Sequence, residues 1–311
     1  MSAPATTERA GITKPVAAGV SIASNSILIA LKLAAAAITG SVAILSEALH
    51  SMIDLIASVI AFVAVRRADE PADVDHPYGH EKMESVAASI EGMLILVGAG
   101  VIVYESVHRL TIGSEVESLG VGMAVIAFSI VVNLIVAAFL RRQARKHDSP
   151  ALAGDAAHLG TDALTSVGVL IGLALVEITG ANAIDSAVAI IVAIAIVYAG
   201  IKLIRRASGA LVDESLPPEE MDRIEAAIAG ARPGEMVGYH KLRARSAGRR
   251  RYIDMHVQFR DGTSLEQAHS LAHALRDAIE TELGDAEVLI HAEPESSRHD
   301  PDKSREPFRS G

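Results

Sequence analysis

Long apolar runs separated by short polar loops fill the first two thirds of the chain, and then the period changes. A helix needs about 20 mostly apolar residues to cross a bilayer. Runs of that kind cover residues 16–37, 42–65, 85–107, 119–140, 151–176 and 184–204, which predicts six transmembrane helices. Past Arg206 the pattern is of another sort. Pro217 and Pro218 open the amphipathic stretch EEMDRIEAAIAGA, which has helical period. Residues 236–245 and 252–259 alternate apolar and polar, the period of a strand. In the second of these, Ile253, Met255, Val257 and Phe259 share one face, and Asp254 and His256 the other. Residues 265–283 return to helical period, with Leu271, Leu275 and Ile279 aligned, and residues 287–291 read as a short strand. The order αββαβ predicts a small two-layer α+β domain. The expected division is a polar N-terminal segment (1–12), a six-helix membrane α-helical bundle (13–208), a soluble α+β domain (209–296) and a disordered polar tail (297–311).

Charge orients the runs. Arg66 and Arg67 follow the second run, Lys82 precedes the third, Arg141, Arg142, Arg145 and Lys146 follow the fourth, and Lys202, Arg205 and Arg206 close the sixth. Near the opposite loops stands only Arg109. Basic residues favour the cytoplasmic side, so both termini are expected there, in a multi-pass protein of the inner or plasma membrane. The first run is long enough to span, which predicts a retained helix rather than a cleaved signal. Composition agrees with a membrane part joined to a soluble part: half of the 311 residues are hydrophobic and the mean hydropathy is +0.33. A net charge of −10 gives no basis for nucleic-acid binding. Cysteine is absent, so any metal site must use His, Asp and Glu.

Those residue types occur in three constellations. Within the second run, SEALHSMID carries Glu47, His50 and Asp54; in the fifth, HLGTD carries His158 and Asp162. Residues four apart share a helix face. Ionisable side chains at membrane depth are costly and mark functional sites. Two His/Asp pairs could supply four ligands to one tetrahedral ion, or act as polar glue between helices. Mixed nitrogen and oxygen donors suit a borderline divalent ion, zinc best. Because imidazole titrates near neutral pH, metal binding there displaces protons. The loop PADVDHPYGHEKME holds Asp73, His76 and His80, which could reach one ion or belong to a solvated turn. The soluble part holds His240, His256, His269, His273 and His291, with Glu293 beside the last. They are either a metal cluster or solvated surface groups.

Taken together, these motifs resemble the cation diffusion facilitator family of divalent-metal/proton antiporters, over about residues 13 to 296. The resemblance rests on the two HxxxD pairs, on HxxGHxKxE from His76 to Glu84, and on GYHKLRARSAG, IDMHVQF, QAH and LIHAE in the soluble part. It implies a homodimer in the lipid bilayer with a metallochaperone-like, metal-sensing cytoplasmic domain. It places a transport site at His50, Asp54, His158 and Asp162, and a loop site at Asp73, His76 and His80. A two-metal cluster at the dimer interface falls on His240, His256, His269, His291 and Glu293, where Glu293 replaces a more usual Asp. A His at position 50, where some members have Asp, implies preference for zinc over cadmium.

The leading expectation is a transporter that exchanges cytoplasmic zinc for protons, with zinc both transported and regulatory and with no organic cofactor. Iron, manganese, cobalt, nickel or cadmium are the alternative substrates. A membrane-embedded metallohydrolase is the alternative from another class; four protein ligands would leave that ion no open position, and no HExxH pair occurs. A metal sensor without transport would have no use for the two membrane pairs.

Overall fold

The computed structural model describes residues 12–39, 42–112, 120–179, 183–232 and 234–297. The N-terminal segment up to residue 11 and the tail beyond residue 297 lie outside the described residues, as do the side chains of Glu47 and His50. Chain contacts divide the protein into two compact units that meet between Ser208 and Gly209.

The first unit contains α1 (Lys14–Thr39), α2 (Val42–Ala68), α3 (Lys82–Ile112), α4 (Gly120–His147), α5 (Pro150–Thr179) and most of α6 (Ala183–Leu211). Every one of these six helices has 26 to 31 residues. At 1.5 Å per residue that exceeds the hydrocarbon thickness of about 30 Å. Four contain described stretches long and apolar enough to cross a membrane: Lys14–Ile38, Lys82–Tyr104, Ala124–His147 and Ala187–Leu211. The remaining two, α2 and α5, carry the His/Asp pairs. Most helices outrun the apolar stretches that predict them; α2, for instance, continues through Arg66 and Arg67. An apolar run marks the part that tolerates hydrocarbon, whereas the backbone stays helical into the polar zone.

Helix contacts in this unit are made by small side chains. Ala17, Ala18, Ala64, Ala87, Ala137, Ala151 and Ala156 are buried with Leu140, Leu152 and Leu159. Small residues let membrane helices approach closely enough to gain dispersion energy where no hydrophobic effect drives them together. α5 is central, packing on α4, α3 and α2, while α1 packs on α2 and α4. Polar residues on α2 and α5 are thereby brought face to face.

The second unit contains α7 (Pro218–Ala231), β1 (Met236–Ala247), β2 (Arg250–Phe259), α8 (Leu265–Leu283) and β3 (Ala286–Pro294), in the expected order αββαβ. The sheet order is β1-β2-β3, with β1 antiparallel and β3 parallel to β2. Ile253, Met255, Val257 and Phe259 on one face of β2 are buried with Ile224 and Ile228 of α7 and Leu275 and Ile279 of α8. Ser264 caps α8, its hydroxyl accepting from Gln267 N while the Gln267 side chain accepts from Ser264 N. Such reciprocal caps satisfy two backbone donors that a helix start would otherwise leave open.

Candidate metal centres

Asp54 of α2 and His158 and Asp162 of α5 each offer one ligand atom, all within 4.8 Å of one another. His158 Nε2 lies 3.2 Å from Asp54 Oδ1 and 3.8 Å from Asp162 Oδ2. Ligands about 2.0–2.1 Å from one tetrahedral ion stand roughly 3.3 Å apart, so these separations suit a shared ion with little rearrangement. Asp54 and His158 are only 4% and 5% exposed. His50 lies one helical turn before Asp54 on α2, and its side chain is outside the described residues. One cation, a proton or a metal ion, can occupy the point on which imidazole and carboxylates converge.

Around this cluster the bundle holds more buried polar groups than the motif alone indicates. Asp155 is fully buried, and its Oδ1 accepts from Ser21 Oγ at 3.1 Å and Ser58 Oγ at 3.0 Å. Asn25 Nδ2 donates to Ser58 Oγ at 2.9 Å. Near the start of α3, Glu84 is buried and accepts from Lys14 Nζ at 2.8 Å and from Ser149 Oγ. Lys14 Nζ also meets Asp69 at 2.5 Å. Reading the sequence by HxxxD spacing passes over Asp155, although it precedes His158 by three positions and so shares its helix face.

The loop between α2 and α3 folds around Asp73. Its Oδ1 accepts from the backbone N–H of His76 at 2.7 Å and of Asp75 at 3.0 Å, the local turn that short Asp side chains favour. His76 Nδ1 is 3.1 Å from Asp73 Oδ1, and His80 Nε2 is 3.3 Å from Asp73 Oδ2. The three residues converge within the same 4.8 Å limit. The backbone hydrogen bond from His76, helped by the two imidazoles, holds the Asp73 carboxyl below the usual carboxylate range. Gly79, with φ of 89°, occupies a left-handed position that allows the chain to reverse before His80.

In the C-terminal unit strand register does the assembling. His240 pairs with His256 across β1 and β2, and His256 with His291 across β2 and β3, so three imidazoles stand in a row. Glu293 lies two residues beyond His291, on the same face of β3. Its Oε2 is 3.1 Å from His240 Nε2, and its Oε1 is 2.6 Å from His256 Nδ1 and 3.5 Å from His291 Nε2. His240, His256 and Glu293 form the compact group. Partial burial of Glu293 favours its neutral acid, but the hydrogen bond from His256 and the charges of His256 and His240 prevail and lower its pKa. His269 stands elsewhere, on α8, its ring 4.2 Å from that of His273.

Comparison with known proteins agrees with this architecture. Residues 18–212 match the cation efflux transmembrane domain, and residues 216–295 match the cytoplasmic domain of cation efflux proteins. An uncharacterised transporter of Synechocystis is 36% identical over 266 residues, 85% of each chain. The cation-efflux pump FieF of Klebsiella pneumoniae is 33% identical over 274 residues, 88% of this chain and 90% of that one. A solved zinc form of CzrB, described as a candidate zinc transporter, is 36% identical with a TM-score of 0.27, covering 28% of this chain and 99% of that one. The match to the cation efflux family defines the class: a membrane transporter, not an enzyme. The chain belongs to the cation diffusion facilitator family, whose members carry divalent metal cations out of a compartment.

Proposed function

We propose that the protein is a homodimeric zinc/proton antiporter of the inner or plasma membrane, with both termini in the cytoplasm. The observation that carries this reading is the buried convergence of Asp54, His158 and Asp162 at ligand-to-ligand spacing inside the bundle. His50, one turn away on α2, is the fourth ligand. Nitrogen and oxygen donors in tetrahedral array favour zinc over the harder divalent ions. The same four groups take protons, so metal and proton compete for one site. Deprotonated ligands bind zinc from the cytoplasm; after the helices expose the site to the other side, protons release it.

The loop site and the C-terminal cluster hold regulatory zinc. Asp73, His76 and His80 are the loop ligands, and His240, His256, His291 and Glu293 those of the cluster, with His269 supplied by a second copy. An ion bound there favours whichever arrangement of the dimer holds it better, and it shifts the transport equilibrium by that difference. Support for dimerisation comes from the match to the family's C-terminal domain.

The test is zinc-driven proton movement in proteoliposomes. The parent protein exchanges the two ions, and Asp54→Ala or Asp162→Ala each reduces exchange by more than about tenfold, since losing even an outer partner of a metal ligand costs about that much. Undiminished exchange in both variants would place the site elsewhere.

A further inference from the structure

Two buried carboxylates of the membrane unit have no part in the cluster described above. Glu91 of α3 is 0% exposed, and neither Oε1 nor Oε2 has a hydrogen-bond partner among the described residues. Asp155 of α5 is also 0% exposed; Ser21 and Ser58 hold its Oδ1, but its Oδ2 has no partner among them. The two acids are neighbours. A Cβ at Gly154 would come within 2.1 Å of Glu91 Oε2, and Asp155 is the charged group acting on Glu91. Glycine at 154 is what gives that carboxyl its seat.

Among the described residues no basic side chain is hydrogen-bonded to Glu91 or to Asp155 Oδ2, although the His158 imidazole acts on Asp155 through its charge. Lys14 is bonded to Asp69 and Glu84, Lys32 to Ser51, and His158 faces Asp54 and Asp162. An unpaired buried carboxylate is costly, and an apolar residue would fill the same space at less cost. Three carboxylate oxygens without partners, on two adjacent acids, therefore point to a ligand that carries the matching positive charge.

We propose that Glu91 and Asp155 form a second cation station in the transport domain, an all-oxygen site for a divalent metal ion. Its place on a route rests on the transporter reading, whereas its chemistry does not. Glu91 Oε1 and Oε2 and Asp155 Oδ2 supply the charge, and the Ser21 and Ser58 hydroxyls add neutral oxygen. Such donors suit harder ions such as manganese or magnesium and, lacking imidazole, hold zinc less tightly than the His/Asp cluster does. Asp155 and His158 are three residues apart on α5, about 4.5 Å along the axis. An ion that has shed water at the oxygen station can thus pass to the His/Asp cluster in one short step.

Manganese binding to the purified full-length protein in lipid nanodiscs, counted by equilibrium dialysis and electron paramagnetic resonance, tests the station directly. Glu91→Gln preserves shape and removes charge, and it is expected to lose one manganese equivalent per chain. Gly154→Ala, which displaces the carboxyl, is expected to do the same, and Glu91→Asp to restore part of the loss. In proteoliposomes Glu91→Gln is expected to slow uptake of sub-saturating zinc by about tenfold. An unchanged manganese count in Glu91→Gln overturns the proposal. So does a variant that binds manganese normally but moves fewer protons per zinc, because Glu91 is then a proton carrier. If the parent moves no zinc while Glu91→Gln still loses its manganese equivalent, the station stands and the transport reading falls.

Discussion

At the scale of single residues, a metal ion must displace the protons held by its ligands. Asp73 accepts backbone hydrogen bonds that hold its carboxyl below the usual range, so it stays ionised to a lower pH than an ordinary carboxylate does. Loss of zinc from the loop site on acidification is therefore predicted not to follow the protonation of an ordinary carboxylate, which falls near pH 4 (about 3.9). Zinc titration of the protein with and without Asp73→Ala, followed against pH, checks this; a release midpoint near pH 4 would contradict it. The lowered pKa of Glu293 gives a parallel expectation for the C-terminal cluster. The sign is that of a depressed carboxylate: its favourable contribution to the folded state is present above its unfolded value and is lost as pH falls through the folded one. Much of this chemistry is legible in the sequence, because HxxxD and HxxGH fix residue type and spacing at once. Glu91 and Asp155 are less so. Nothing in a one-dimensional pattern tells that Glu91 meets Gly154 on another helix, or that both Glu91 oxygens lack partners among the described residues.

At the scale of elements, sequence period serves better inside an element than at its ends. The α8 boundaries, 265 and 283, coincide with the helical pattern, because Ser264 and Gly284 terminate it chemically. The membrane helices extend past their apolar runs, because polar residues at the bilayer surface leave the backbone helical. Strand alternation places His256 opposite the core face of β2, but the alignment of His240, His256 and His291 depends on register, which long-range pairing decides. Two stability predictions follow from the packing. Leu275→Ala, in the core between α8 and the sheet, is expected to cost about 2–5 kcal/mol. Ser264→Ala, which removes the cap of α8, is expected to cost about 1 kcal/mol. Urea unfolding of a fragment spanning residues 209–297 measures both; equal effects of the two substitutions would contradict the assignment of the core. His256→Ala is expected to abolish zinc binding by the same fragment while leaving it folded, because His256 sits at the centre of the histidine row.

At the scale of the whole molecule, the division of labour follows from the two units. One buries ionisable groups among membrane helices, where charge is tolerated only for a function. The other has an independent hydrophobic core and presents imidazoles on its sheet. Membership of the cation diffusion facilitator family is matched over both units. The central claim is that Asp54, His158 and Asp162, with His50, bind the metal and the protons alternately. It is tested most directly by measuring zinc and proton fluxes together in proteoliposomes carrying the purified protein. The account predicts coupled, opposite fluxes that reverse with the proton gradient and disappear in Asp54→Ala and Asp162→Ala. Zinc movement indifferent to the proton gradient, or coupled exchange that survives both substitutions, would contradict it.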